Sequence, residues 1–472
     1  MAMMKKHNLL FSILIILTLL LAACQPAGTG TLEITPQAGK SPAPTKTSAP
    51  TLTPVPDIAV DTAKLDKLQI RILHPWTEDT GMQMTRLVDQ FNQTNQWGIF
   101  VIEIAPGSAG LVQEKYRELL LDKQAPDVLV MSPSQLLHSD AINGNILDLN
   151  PYVLSAKFGL FPDEQEDFLP AFWNESVVQG KRFGIPAQRT TEMLFYNVTW
   201  AKELGFISPP KTWTAFREQV CAANASKRKD ADSLDDGLGG WIINTNALTT
   251  LSWLRTFGSD PLENSNPRFL SVKSEEGFNA LLKLSTDSCA WLSRLPQPYE
   301  YFTNRQALVY SGSMQDLLVQ TRTNTRLESE DDWIVLPYPP ADGESFILTE
   351  GVDYGITTST DERQLASWLF VRWLSYPEQQ AWLLRNSGTL PLGETVLPLV
   401  SDLEEEYPLW ADAAALSEYI VTLSVSKDLD IIKTVVEDGG WQLFKTGLKS
   451  DAIQALLSQI DMLIAEMAAR EE

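Results

Sequence analysis

Apolar positions fall into short β-rich runs separated by longer stretches with helical spacing. Leu68–Leu73, Ile99–Ile104 and Asp127–Met131 read as strands. Between the first two, Met84, Leu87, Val88 and Phe91 recur at helical spacing within 78–95, and a second helix is predicted over 110–123. This strand–helix alternation predicts an α/β fold with a parallel, helix-covered sheet. The last third is helical. Leu365, Trp368, Leu369, Trp373 and Trp382 mark a helix over 361–386. Ile453, Leu456, Leu457, Ile460, Leu463, Ile464 and Met467 mark a final amphipathic helix. Both stripes read as core, whereas Trp410 and Gly440-Trp441 read as loop residues.

The N-terminus breaks this pattern. Lys5 and Lys6 precede an apolar run, Phe11–Leu21, that is short for a membrane span and ends in Leu21-Ala22-Ala23-Cys24. This resembles a bacterial lipobox, so residues 1–24 read as a lipoprotein signal peptide and Cys24 as the lipidation site. The expected address is the extracytoplasmic face of the cell membrane. Residues 25–64 are rich in Pro and Thr and read as a disordered tether. No second apolar stretch is long enough to span a membrane.

Composition narrows the function. The 472 residues carry 37 Lys and Arg against 60 Asp and Glu, a formal net charge of −23. Lys227-Arg228-Lys229 is the one basic cluster, which argues against nucleic acid as a partner. With three histidines, a multi-histidine zinc site is excluded, and no GxSxG, GxxxxGK or GxGxxG motif occurs. No cofactor and no metal are expected. The acidic stretch Asp230–Asp236 lacks EF-hand spacing and reads as a solvated loop. Cys221 and Cys289 both fall on helical patterns. Even count and compartment favour a disulfide between them over two buried thiols.

Several segments together carry a family resemblance. Phe183-Gly184-Ile185-Pro186-Ala187, Leu194-Phe195-Tyr196-Asn197 and Pro209-Pro210-Lys211-Thr212-Trp213 come first. Ala307–Gly312, Asp353-Tyr354-Gly355-Ile356, Pro377-Glu378 and Ser387-Gly388-Thr389-Leu390-Pro391 follow in order. The chain resembles the extracellular solute-binding proteins of family 1, the group that includes maltose-binding protein. The resemblance implies a periplasmic-binding-protein-like fold of two α/β sandwich lobes joined by a three-crossing hinge. Lobe one is expected over 65–188 plus 305–358, and lobe two over 189–304 plus 359–472. It further implies a monomer that captures a small solute, expected to be a carbohydrate, and delivers it to the transmembrane subunits of an ABC permease.

Ligands of open α/β sheets sit beyond the carboxyl ends of strands. That rule selects Trp76, Glu78 and Asp79 after strand one and Ser132 after strand three. Gln188, Arg189 and Thr190 are selected by their place at the first lobe crossing that the resemblance implies, and Trp241, Asn246, Ser313 and Asp353 as candidates at or near later strand ends. An indole beside carboxylates suits a sugar or a cation, but Glu78 and Asp79 also suit a helix N-terminus. Ser132 and Asn246 also suit helix caps, and Arg189 also suits a salt bridge. Thr212 is an expected N-cap and Trp213 a packing residue. Two other classes stay open: a surface-anchored carbohydrate-active hydrolase working through paired carboxylates, and a scaffold or sensor that keeps the fold. No catalytic residue is assigned.

Overall fold

The computed structural model describes residues 58–263 and 266–471. The expected signal peptide, the expected lipidation site Cys24 and most of the expected tether lie outside the described residues. Residues 58–64, expected in the tether, are part of the body. Ile58 and Val60 pack on its core, Thr62–Leu65 forms a 3-10 turn capped by Asp61, and Leu65 is buried. Their apolar side chains supply the reason.

Twelve strands are present among the described residues: β1 Gln69–Leu73, β2 Phe100–Ile104, β3 Val128–Met131, β4 Val177–Val178, β5 Lys181–Arg182, β6 Ile185–Asn197, β7 Gly239–Ile242, β8 Ala290–Trp291, β9 Ala307–Ser313, β10 Trp333–Leu336, β11 Ile347–Ile356 and β12 Ile420–Thr422. Strands β4 and β5 form a ribbon of their own. The other ten form one curled sheet in the order β2-β1-β3-β11-β6-β9-β7-β8, with β10 beside β6 and β12 beside β11. The fold is α/β, as the alternation predicts. β1 runs parallel to β2 and β3, and helices Glu78–Thr94 and Ala109–Leu121 are the crossovers. A second parallel group, β8-β7-β9, forms the far end.

Two long antiparallel strands join the groups. Ile185 and Pro186 of β6 pair with Tyr354 and Asp353 of β11, next to β3, while Glu192–Tyr196 pair with β9. β6 and β11 therefore run from one lobe into the other, and β11 is bulged between Val352 and Asp353. The ranges expected for the lobes placed 305–358 with 65–188. In the structure β9 lies between β6 and β7, and β11 is the strand that returns. Both segments are β-rich, and the choice depends on which neighbour completes the ladder. Helix Asp361–Leu374, expected with lobe two, packs on β1 and on the Thr62–Leu65 turn, where Arg363 Nε donates to Asp127 at 2.7 Å. The chain reaches β12 and helix Leu429–Leu443 only after residues 388–419.

Local signals explain many boundaries. Ser132 and Gln135 form a capping box on helix Pro133–Asn143, and Thr212 accepts from Ala215 N at the start of helix Trp213–Lys227. Pro377 splits the helix expected over 361–386, because it opens a second one, Pro377–Ser387. Trp410 and Trp441 lie on helices, not in loops. Gly439 and Gly440 sit inside Leu429–Leu443 because a Cβ there would meet Ile460 at 2.6 Å and Thr250 at 3.1 Å. The glycines that suggest a loop are a close helix-packing contact.

One core lies around β1–β3 and the crossing strands, and another beneath β6–β9. Trp213 packs in the second, as expected. The helix Ser450–Arg470 is long and apolar enough to cross a membrane by length and composition, contrary to the sequence reading. Its apolar stripe, including Ile453, Leu457 and Ile460, packs into the second core. Cys221 and Cys289 are bonded, tying helix Trp213–Lys227 to the chain entering β8. Residues 230–236 form a mostly exposed loop in which Asp235 pairs with Lys227 at 2.8 Å.

Candidate functional site

Strands β7, β8 and β9 run parallel, so their carboxyl ends share one edge. A cavity of about 380 Å³ opens there. Asn244, Thr245 and Asn246 follow β7, the loop Leu292–Pro298 follows β8, and Tyr310 and Ser311 come from β9. Helix Leu429–Leu443 adds Glu437 and Trp441, one turn apart. Trp441 is 53% exposed although it is a large indole on a helix whose Ile432, Val436 and Leu443 are buried.

Asn244 Oδ1 accepts from the Asn246 backbone N–H at 2.9 Å, leaving the side chain of Asn246 at the rim. Asn246 is the N-cap residue of helix Ala247–Thr256 but makes no side-chain cap bond. The buried hydroxyl of Tyr310 has no hydrogen-bond partner among the described residues. Burial pushes it well above the ordinary tyrosine range. Behind the wall, Tyr338 donates to Ser311 Oγ at 2.9 Å and Thr249 donates to the Glu192 carboxyl. Burial raises that carboxyl to about 8. An indole face with amide, guanidinium and carboxylate groups around it can stack on C–H surfaces and exchange hydrogen bonds with hydroxyls. A larger crevice of about 550 Å³ lies along residues 390–417, but its lining is mostly Leu, Pro and Ala.

The residues selected from the sequence are distributed differently. Trp76 follows β1 as expected but turns inward: it is 6% exposed, and its Nε1 donates to Gln188 Oε1 at 2.9 Å. Glu78 and Asp79 are exposed in the first turn of their helix, and Ser132 serves as its helix cap. Arg189 and Asp353 are fully buried and paired with each other, so neither reaches solvent. Thr190 Oγ1 donates to Gln315 at 3.2 Å, and Ser313 bonds to Asp316. Trp241 is a core residue with no exposure, its Nε1 donating to Ser311 Oγ at 3.2 Å. The β strand places alternate side chains on opposite faces, and Trp241 takes the face covered by Trp253. Of the selected residues, Asn246 alone lines the cavity. Arg294, Tyr310 and Glu437 escaped the sequence reading. The spacing of four between Glu437 and Trp441, on the face opposite Ile432 and Val436, is the signal that marks two of the lining groups.

Comparisons add the family. The pattern of bacterial extracellular solute-binding proteins matches residues 86–416. No curated protein matches the chain by sequence. Among solved structures, the sugar-binding protein MalE from Xanthomonas citri is similar with TM-score 0.70 and 20% identity, over 85% of this chain and 98% of that one. The cyclic alpha-maltosyl-1,6-maltose binding protein from Arthrobacter globiformis gives 0.68 and 16%, over 85% and 100%. UgpB from Mycobacterium tuberculosis, solved with glycerophosphocholine, gives 0.66 and 16%, over 86% and 99%. These likenesses share the two-lobed fold. The family match spans well over half of the chain, which belongs to the bacterial extracellular solute-binding proteins.

Proposed function

We propose that this protein captures a carbohydrate outside the cytoplasm and delivers it to an ABC permease. The observation that carries this reading is the cavity at the ends of β7, β8 and β9, with half-exposed Trp441 set among Asn244, Asn246, Arg294 and Glu437. Its mixture of one aromatic platform and neutral and charged hydrogen-bonding groups suits a neutral polyhydroxylated solute. Sugar binding by structurally similar proteins supports it. The cavity is one wall of the interlobe cleft, and the 74–79 loop after β1 belongs to the other. Closure turns about β6 and β11. The lobes already touch where Gln135 donates to Asp430 at 2.9 Å and Ser426 N–H donates to Ser134 at 3.2 Å.

The role is binding, not turnover, and the protein works as a monomer. Cys24 carries the lipid that holds it at the membrane, and residues 25–57 act as the spacer. A thermal-shift screen of the protein against mono- and oligosaccharides, polyols and glycerophosphodiesters tests the ligand class. Ligand at about 100 times its Kd adds about 2.7 kcal/mol of stability. A shift confined to carbohydrates, with no product on chromatography, supports the reading. A shift confined to phosphodiesters, or release of product, refutes it.

A further inference from the structure

The crossing of β6 and β11 holds a buried charge cluster that ligand binding does not require. Arg189 has no exposure, and its guanidinium is fully engaged. Nη2 donates to Asp353 Oδ1 at 2.6 Å, Nε to Glu175 Oε2 at 3.0 Å, and Nη1 to the carbonyls of Gln188 and Val352 at 3.0 and 2.8 Å. Ser176 donates to the second oxygen of Asp353. One cation thus serves two carboxylates, at the point where β11 bulges and both strands pass between lobes.

We propose that Glu175 is a proton-linked latch on the hinge: its neutral form holds the crossing dry and the lobes together, and its ionised form favours opening, which admits water to the cluster. This inference rests on the reading of β6 and β11 as the hinge. Glu175 is the weakly supported member. Asp353 also has the Ser176 hydroxyl, whereas Glu175 has Arg189 alone. Burial pushes the Glu175 carboxyl up to about 7 against the pull of Arg189, with Asp353 and the more distant Glu350 adding to the rise.

The surroundings contain few other charges. Glu350 on β11 is bonded to Lys433 of helix Leu429–Leu443. Arg182 on β5 lies close enough to Asp353 and Asp148 to feel both, and it stacks on Trp173. β12, which packs on the Glu175 helix, contributes only Ile420, Val421 and Thr422. A dry site disfavours the ionised form, so the dry arrangement binds a proton that a hydrated one releases. The linkage acts between the ordinary glutamate range and about 7 and saturates above it. Raising the pH therefore favours opening.

The test is hydrogen exchange of 186–192 and 349–354 in the unliganded full chain, corrected for the chemical exchange rate. From pH 5 to pH 7.5 the wild type is expected to lose protection by roughly tenfold. Glu175→Gln is expected to lose most of that response, while Glu192→Gln, which removes the buried carboxyl of β6, is expected to retain most of it. A pH-independent wild type overturns the proposal, and so does a response that survives in E175Q and disappears in E192Q. Where E175Q does not fold, carboxyl NMR titration of the wild type decides. A glutamate midpoint near 7, with the loss of protection complete by that pH, supports the latch. Loss of protection that continues to pH 8 and above in Glu192→Gln overturns it. No ligand enters the measurement, so its failure is distinct from failure of the carbohydrate reading.

Discussion

Arg189 donates to Asp353 at 2.6 Å across the pair of strands that joins the two lobes, and neither side chain has any exposed surface. The pair is the electrostatic centre of the crossing, because Arg189 also holds Glu175 and two backbone carbonyls. A buried cation of this kind stabilises only while its partners remain. Removing it leaves the Asp353 carboxylate and the Glu175 carboxyl without their shared donor.

Arg189→Met is therefore expected to cost about 3–5 kcal/mol, the usual cost of breaking a buried ion pair on one side. Lysine is no substitute, since a point charge cannot serve four acceptors in a planar fork. Urea denaturation followed by tryptophan fluorescence checks this. A loss below about 1 kcal/mol would place the cluster in contact with water and remove its structural role.

Glu192 makes stability depend on pH. Its carboxyl is raised by burial to about 8, so the folded state holds a proton that the unfolded state releases at ordinary glutamate pH. The contribution is fully present below the unfolded pKa and is lost as pH rises to about 8. At about 1.4 kcal/mol per unit, the loss across that window is at most a few kcal/mol. Urea midpoints from pH 5 to pH 9 should fall more steeply for wild type than for Glu192→Gln. Parallel curves would show that the carboxyl ionises without penalty.

The Cys221–Cys289 bond closes a loop of 68 residues. The chain-entropy account gives about 4 kcal/mol for such a loop. It joins the helix and strand that flank β7, where Gly240 lies so close to the Cys289 carbonyl that a Cβ would sit 1.8 Å from it. Reduction, or the Cys221→Ser/Cys289→Ser variant, should lower the unfolding free energy by a few kcal/mol without changing the far-UV spectrum. An unchanged midpoint after verified reduction would contradict this.

The parts of the fold legible in the sequence are those in which pattern and environment agree. β1, β2 and β3 alternate with amphipathic helices, and caps at Ser132 and Thr212 mark helix starts. Lobe assignment was less legible, because β9 and β11 are both β-rich runs and nothing local states which neighbour each will pair with. The site was least legible. Trp76 and Trp241 occupy the expected strand ends, yet rotamer and strand face turn both rings inward, to Gln188 in one case and Trp253 in the other. Trp441 was hidden by Gly439 and Gly440, whose purpose is contact with Ile460 and Thr250 and not a turn. Arg294 follows a two-residue strand and precedes Pro296, so no periodic signal surrounds it.

Calorimetric titration of wild type and Trp441→Ala with the carbohydrates that shift the thermal midpoint decides whether the solute sits at the ends of β7, β8 and β9. Trp441 is half-exposed, so its removal should leave the unfolding midpoint nearly unchanged. Wild type should bind one ligand per chain, and the variant should lose affinity by roughly tenfold or more, the scale of a lost aromatic contact. Equal affinity in both proteins would contradict this and place the solute elsewhere in the molecule.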